Sequence, residues 1–154
     1  MGAIDKRLGE LGITLPKVAA PVANYVPFVR TGNLLIVSGQ LCFEPDGPLT
    51  AKGQLGAGVS VEQGQKATRA SALNCVAVAK LALGDLDKVK RVVRLGGFIS
   101  SVPGYTDAAK VMNGASDVMV EIFGDAGRHC RTTIGVSSLP LDTTVEVEAM
   151  FEVA

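Results

Sequence analysis

The C-terminal part of the chain carries its clearest hydrophobic pattern. From residue 144 to residue 153, apolar side chains alternate with polar ones, and Glu146, Glu148 and Glu152 share the polar face. A period of two is typical of a strand that buries one face. Residues 131–136 form another extended run, which residues 139–142 connect to the first. The pattern therefore predicts two strands at this end of the chain.

Two more strands are predicted nearer the N-terminus, at residues 25–30 and 34–43, with residues 31–33 as the turn between them. Both faces of the second run are largely apolar, which indicates a strand covered on two sides. Ser38 and Gly39 interrupt that run. A mid-strand glycine marks either a bulge with locally bonded neighbours or the close approach of a ligand, and spacing alone leaves both interpretations open.

Helical patterns occupy much of the middle of the chain. A long helix is predicted at residues 61–83, because Ser60 and Gln63 form a capping box and Gly84 is a typical helix end. A second helix is predicted at residues 107–123, where apolar side chains recur at helical spacing.

The remaining segments complete the order of elements. A central strand is predicted at residues 88–100, a short amphipathic helix at 5–12 and a long loop at 45–58. The order ββαβαββ favours an α+β sheet with two long helices on one face. With no linker or repeat, residues 1–154 are predicted to form a single domain.

Composition narrows the class of protein. The 154 residues include 15 Lys and Arg and 15 Asp and Glu, so the net charge is zero, which disfavours a general nucleic-acid binder. Hydrophobic residues make up 47% and charged residues 19%, which excludes a disordered chain. So few charges indicate that part of the surface is covered in an oligomer. No apolar leader or membrane span is recognised, so a cytoplasmic protein is expected.

Most standard catalytic and cofactor motifs are absent from the sequence. There is no phosphate-binding loop and no dinucleotide fingerprint. The three cysteines lack metal-ligand spacing, and His129 is the only histidine, so no metal site is expected. A dyad of His129 with Cys130 is disfavoured because neighbouring strand residues point to opposite faces. A packed or surface histidine is the preferred interpretation.

Arg131 and Glu146 are the strongest candidates for chemistry. An arginine at the start of one C-terminal strand has the fork geometry that grips a carboxylate, and Glu146 lies in the strand that follows. The alternative is a structural ion pair between the two strands. Residue chemistry alone does not separate these interpretations.

A family resemblance adds to this reading. The chain resembles the RidA/YjgF family of reactive-intermediate deaminases, also described as L-PSP-type endoribonucleases, in Tyr25, GNLLIVSGQ at 32–40, Arg131-Thr132, Leu139-Pro140 and VEVEA at 145–149. The segments GASD at 114–117 and GRHCR at 127–131 are similar to a divergent branch with a longer loop after the second strand.

The resemblance implies a fold and an activity. The fold would be chorismate-mutase-like, a mixed sheet backed by two helices, in a homotrimer with active sites in clefts between subunits. The activity would be hydrolysis of 2-imino or enamine acids to 2-keto acids and ammonia, without a cofactor. The implied partners are a small carboxylate-bearing substrate and two further copies of the chain, with neither a membrane nor a nucleic acid.

The resemblance also assigns roles to individual residues. Arg131 would clamp the substrate carboxylate, and Glu146 would orient or activate the attacking water. The substrate-binding residues would be Tyr25, Ser38, Gly39, Asn113 and Thr133.

The chain departs from the family pattern at two positions. Pro27 stands where many members have Gln, and Thr133 stands where many have Cys. Three other functions fit the same pocket: a non-catalytic protein that binds small carboxylates, an endoribonuclease or translation inhibitor, and an enzyme that opens a ring or isomerises an unstable intermediate.

Overall fold

A computed structural model describes residues 1–20 and 23–154. The three helices are α1 (Ala3–Glu10), α2 (Val61–Leu83) and α3 (Ala108–Phe123). The strands are β1 (Phe28–Thr31), β2 (Leu34–Leu41), β3 (Gln54–Leu55), β4 (Gly58–Val59), β5 (Val89–Ser100), β6 (Cys130–Val136) and β7 (Val145–Val153). This α+β arrangement confirms the predicted fold class.

The main sheet has five strands in the order β1-β2-β7-β5-β6. All neighbouring strands are antiparallel except β5 and β6, which run parallel because α3 connects them as a crossover. Strands β6 and β7 follow one another in the chain, yet β5 lies between them. The sheet is therefore mixed, as the resemblance implied.

Helix α2 has the bounds that the sequence predicts. The Ser60 hydroxyl accepts a hydrogen bond from the Gln63 backbone at 3.1 Å, and the Ser60 backbone donates to the Gln63 side chain at 2.8 Å. Gly84 ends the helix in the left-handed region, where a glycine has no steric penalty. The capping-box prediction is confirmed.

The core lies between one face of the sheet and helices α2 and α3. Leu95 of β5 and Phe151 of β7 are fully buried there, together with Met112 of α3. Alternate residues of β7 are buried throughout its length, which confirms the predicted period of two.

The other face of the sheet is only partly covered in the single chain. Leu35 and Val37 of β2 are buried, whereas Ile36 is 39% exposed. The prediction that β2 is covered on two sides is therefore wrong for one copy of the chain. Val29 pairs with Ile36, and both lie on this open face.

The first two strands differ from their predicted bounds. The first strand begins at Phe28 rather than at residue 25, because Pro27 has no amide hydrogen to donate to a ladder. The second strand ends at Leu41 rather than at residue 43, after a bulge between Val37 and Gln40.

The segment predicted as a loop at residues 45–58 contains β3 and the start of β4, which pair in parallel. These strands have only two residues each, too few for a recognisable alternation of side chains. Within the described ranges, no helix is long and apolar enough to cross a membrane.

Candidate functional site

The predicted site residues fall into two groups within one copy of the chain. Tyr25, Gly39 and Glu146 line a cleft of about 920 Å³, and Ser38 lies beside them in β2. The second group, Asn113, Arg131 and Thr133, lies on α3 and on the edge strand β6.

Glu146 fits into the cleft because Gly39 has no side chain. A Cβ atom at Gly39 would collide with the Glu146 carboxylate. Glu148 has the same relationship with Gly96, its paired residue in β5, where a Cβ would lie 2.6 Å from a carboxylate oxygen. Two glutamates of β7 thus lie over glycines of the neighbouring strands.

Burial raises the pKa of the Glu146 carboxyl above its ordinary value, and the negative charge of Glu148 raises it further. Glu148 itself is paired with Arg94 at 3.3 Å. A carboxyl with a raised pKa holds a proton more readily than a solvated glutamate does. Glu146 therefore has the electrostatic character of a carboxyl group that takes up and releases a proton at higher pH than a solvated glutamate.

Ser38 and Gly39 form the bulge in β2, which confirms one of the two interpretations of the mid-strand glycine. The Ser38 hydroxyl donates to the Val26 carbonyl at 2.7 Å, and the Ser38 backbone donates to the Pro27 carbonyl at 2.9 Å. These bonds attach the segment before β1 to β2. Tyr25, which is 54% exposed, belongs to this attached segment at the cleft.

The Arg131 side chain is held against α3 by three hydrogen bonds. Its Nη1 donates to Asn113 Oδ1 at 3.0 Å and to Ser116 Oγ at 3.1 Å, and its Nη2 donates to the Ala109 carbonyl at 3.1 Å. A guanidinium has five N–H groups. Among the described residues, no acceptor is found for the Nε–H or for the second Nη2–H of Arg131, so these donors are free for a ligand.

Thr133 shares its face of β6 with Arg131. Its hydroxyl oxygen is buried and has no hydrogen-bond partner within the part of the chain that the structure describes. Buried hydroxyls are nearly always bonded, so an unbonded hydroxyl on the Arg131 face of β6 is unusual.

Strand pairing separates Arg131 from Glu146 within one chain. Arg131 pairs with Leu95, which pairs with Ala149 on the helix side of the sheet. Glu146 is three residues before Ala149, so its side chain lies on the opposite face. The interpretation of these residues as a structural ion pair within one chain is therefore wrong, and Arg131 of the same chain does not act on the Glu146 carboxylate directly.

Comparison with known proteins identifies the family. A family model described as "YjgF/chorismate_mutase-like, putative endoribonuclease" matches residues 5–153. The chain belongs to this family.

Individual proteins resemble the chain to different degrees. Protein TCP17 of Trypanosoma cruzi is 48% identical over 152 residues, which cover 98% of this chain and 94% of TCP17. The crystal structure of Atu1372 from Agrobacterium tumefaciens, a protein of unknown function, is 45% identical with a TM-score of 0.91, covering 98% and 92% of the two chains.

The YjgF gene product of Escherichia coli is more distant. It is 26% identical with a TM-score of 0.64, covering 88% of this chain and 93% of that one. The two TM-scores agree with the prediction that this YjgF-family chain belongs to a divergent branch.

Two residues of this YjgF-family site were not among the predicted ones. Ser116 accepts from Arg131 and lies 2.9 Å from His129 Nε2, while His129 Nδ1 lies 2.6 Å from the Gly127 carbonyl. The Cys130 thiol contacts the Val93 carbonyl instead, so the expectation that His129 and Cys130 form no dyad is confirmed. The segments 114–117 and 127–131 had marked the divergent branch, and both contact Arg131 or its partners.

Proposed function

We propose that the chain is a cytoplasmic imine deaminase that hydrolyses 2-imino acids to 2-oxo acids and ammonia in sites shared between copies of a homotrimer. One copy would supply Arg131, Asn113 and Thr133, and its neighbour would supply Glu146, Tyr25, Ser38 and Gly39. The observation that carries the proposal is the pair of unpaired Arg131 N–H groups on a guanidinium that α3 already holds in place.

The free donors of Arg131 suit a carboxylate. Two N–H groups of one guanidinium can donate to both oxygens of a carboxylate, which fixes the position and orientation of the substrate. The three bonds to α3 reduce the side-chain freedom that would be lost on binding.

The reaction needs little more than orientation and proton transfer. Water adds to the electrophilic carbon of the C=N bond as Glu146 takes a proton from it, and the protonated Glu146 gives that proton to the nitrogen, so that C=N becomes a C–N single bond. Glu146 then transfers the hydroxyl proton of the carbinolamine to the amino group, the C–N bond breaks, and ammonia leaves as the C=O bond forms. The products are one 2-oxo acid and one ammonia for each water consumed, and no cofactor is required.

A shared site agrees with the open face of the sheet. Val29, Ile36 and Ile134 are 52%, 39% and 47% exposed on that face. Apolar side chains at this level of exposure favour burial against another copy of the chain. A neighbouring copy is also required to bring an Arg131 to the cleft that contains Glu146.

A shared site is tested by mixing two inactive variants of the chain. Arg131→Ala and Glu146→Gln variants are each expected to release almost no ammonia from an imino acid generated by an amino-acid oxidase. In oligomers co-assembled from equal amounts of both, about a quarter of the sites would combine an intact Arg131 with an intact Glu146, and about a quarter of the activity should return. Native mass spectrometry verifies that mixed oligomers form.

The outcomes separate the parts of the proposal. If mixed oligomers remain inactive while the unmodified protein is active, the two residues do not share a site across copies. If the unmodified protein releases no ammonia, the deaminase assignment is wrong.

A second candidate function, an endoribonuclease, is favoured by the description of the family model and by that of a 37% identical protein from Shewanella oneidensis, a putative endoribonuclease. Three carboxylates, Glu44, Asp46 and Glu146, line the cleft and would repel RNA phosphates. Cleavage of RNA by the unmodified protein that is lost in Arg131→Ala would support this function over the deaminase.

A further inference from the structure

We infer that Ser116 and His129 are positioning residues for Arg131, acting through a hydrogen-bond chain that runs from Arg131 through Ser116 and His129 to Gly127. The inference rests on the proposed function for its ligand, a small carboxylate, but the hydrogen-bond chain itself is defined by geometry alone.

The direction of the hydrogen-bond chain follows from its last link. A backbone carbonyl only accepts, so the His129 Nδ1 atom, 2.6 Å from the Gly127 oxygen, carries a hydrogen. The Nε2 atom of the neutral ring is then an acceptor. With the ring in this neutral form, Ser116 Oγ, which lies 2.9 Å from Nε2, donates its hydroxyl proton there.

The orientation of the Ser116 hydroxyl decides what Arg131 contacts. With its proton directed to His129, Ser116 presents lone pairs to Arg131 Nη1, which donates at 3.1 Å. Every donor in the hydrogen-bond chain therefore points the same way, and bonds aligned in this manner strengthen one another. Without an acceptor at His129, the hydroxyl can rotate its proton toward the guanidinium and lose this contact.

The consequence concerns the free side of Arg131. Asn113 and Ser116 both accept from Arg131 Nη1, so the hydrogens of this nitrogen point toward α3. The Nε–H and one Nη2–H remain available for a carboxylate. Loss of the Ser116 bond would leave the guanidinium free to rotate, so the carboxylate would bind more weakly although every atom that touches it is still present.

Nuclear magnetic resonance tests the hydrogen-bond chain without reference to catalysis. His129 is the only histidine in the sequence, so imidazole ¹⁵N signals of the protein are assigned without ambiguity. We expect the neutral ring to adopt a single tautomer, with the proton on Nδ1. Ser116→Ala should shift the His129 Nε2 signal and the Arg131 Nε–H signal. The control, Arg128→Ala, removes an adjacent exposed cation and should change neither the tautomer of His129 nor the position of the Arg131 signal.

Binding of pyruvate, measured by calorimetry, tests the positioning role. Ser116→Ala and His129→Leu should each weaken pyruvate binding about tenfold, the scale for a hydrogen bond to a charged group. Ser116→Thr keeps the hydroxyl and His129→Gln keeps an acceptor, so both should restore most of the affinity. In turnover assays the loss should raise KM, with kcat changed much less.

Two results would overturn the inference. One is an imidazole that exchanges freely between tautomers or carries its proton on Nε2. The other is an Arg131 Nε–H signal that Ser116→Ala leaves unmoved. Should the unmodified protein neither bind pyruvate nor hydrolyse imino acids, the proposed function fails, while the imidazole and guanidinium signals still decide whether the hydrogen-bond chain exists.

Discussion

The Glu146 carboxylate occupies the space that a side chain at Gly39 would fill. Gly39 lies in the bulge of β2 and Glu146 lies in the neighbouring strand β7, which pairs with β2 on both sides of the bulge. The position of the candidate proton acceptor is thus determined by the absence of a methyl group on the next strand.

Gly39→Ala should displace the Glu146 carboxylate and remove most of the imine hydrolysis. Because the atoms that the methyl group would meet all belong to the flexible Glu146 side chain, which can move aside, the free energy of unfolding should fall by less than the ~1–3 kcal/mol usual for overpacking. Ammonia release and urea denaturation provide the two measurements.

Gly9→Ala is the matched control for that substitution. A Cβ at Gly9 meets no atom within 4 Å, and the residue lies inside α1. Alanine is expected to stabilise this helix by about 0.5–1 kcal/mol without changing activity. If Gly39→Ala hydrolyses imino acids as fast as the parent, Gly39 does not position the carboxylate.

Glu148→Gln should shift the pH dependence of turnover. Burial first and the charge of Glu148 second raise the pKa of Glu146, and Glu146 must be ionised to accept a proton from water. Removing the Glu148 charge lowers that pKa, so the acidic limb of the kcat/KM profile should move to lower pH. A limb that stays in place would show that another group controls it.

The raised pKa of Glu146 also affects stability, and the sign follows from linkage. A carboxyl whose pKa is higher in the folded state favours folding at acidic pH, and this contribution is lost as pH rises through the folded-state pKa. Glu146→Gln should therefore raise stability relative to the parent at neutral pH. The difference should shrink as pH falls below the ordinary range for glutamate, which urea denaturation at a series of pH values would measure.

Much of the fold was predictable from local signals. The capping box at Ser60 and the alternation of β7 predicted their elements because each pattern depends only on neighbouring residues. The pairing of β5 with both β6 and β7 was not predictable in this way, since the strand order depends on contacts between distant segments.

The candidate site was harder to predict than the fold. Its residues were found through the family resemblance, but their division between two faces required the strand register. Ser116 was missed because its role depends on His129 and Arg131, which lie 13 and 15 residues away. A usable signal did exist for the glutamates: Gly39 and Gly96 lie in strands next to β7, where each leaves space for one carboxylate.

Arg131→Lys should behave almost like Arg131→Ala in binding and turnover. A lysine has a single ammonium group, so it cannot contact α3 at three points and still present two parallel donors to a carboxylate. We expect kcat/KM to fall by a factor that corresponds to the loss of about 2–5 kcal/mol of transition-state stabilisation. This is the scale for removing one partner of a buried charged pair. Lysine retaining near-parental kcat/KM would show that charge alone, without the fork, is sufficient.

Gly114→Ala should disturb the side of the site that α3 supplies. A Cβ at Gly114 would overlap the backbone carbonyl of Gln65 and approach the Thr68 hydroxyl, both on α2. A backbone atom cannot move aside as a flexible side chain can, so α3 must shift away from α2. The free energy of unfolding should fall by about 2–3 kcal/mol.

The shift of α3 should also displace the Arg131 side chain. Asn113 and Ser116, which accept its hydrogen bonds, lie on either side of Gly114 in this helix. Pyruvate affinity should therefore fall together with stability. Asp117→Ala, at an exposed position of the same helix, should change neither quantity by more than about 0.5 kcal/mol. If Gly114→Ala destabilises the protein while pyruvate binds as before, Arg131 does not depend on how α3 packs against α2.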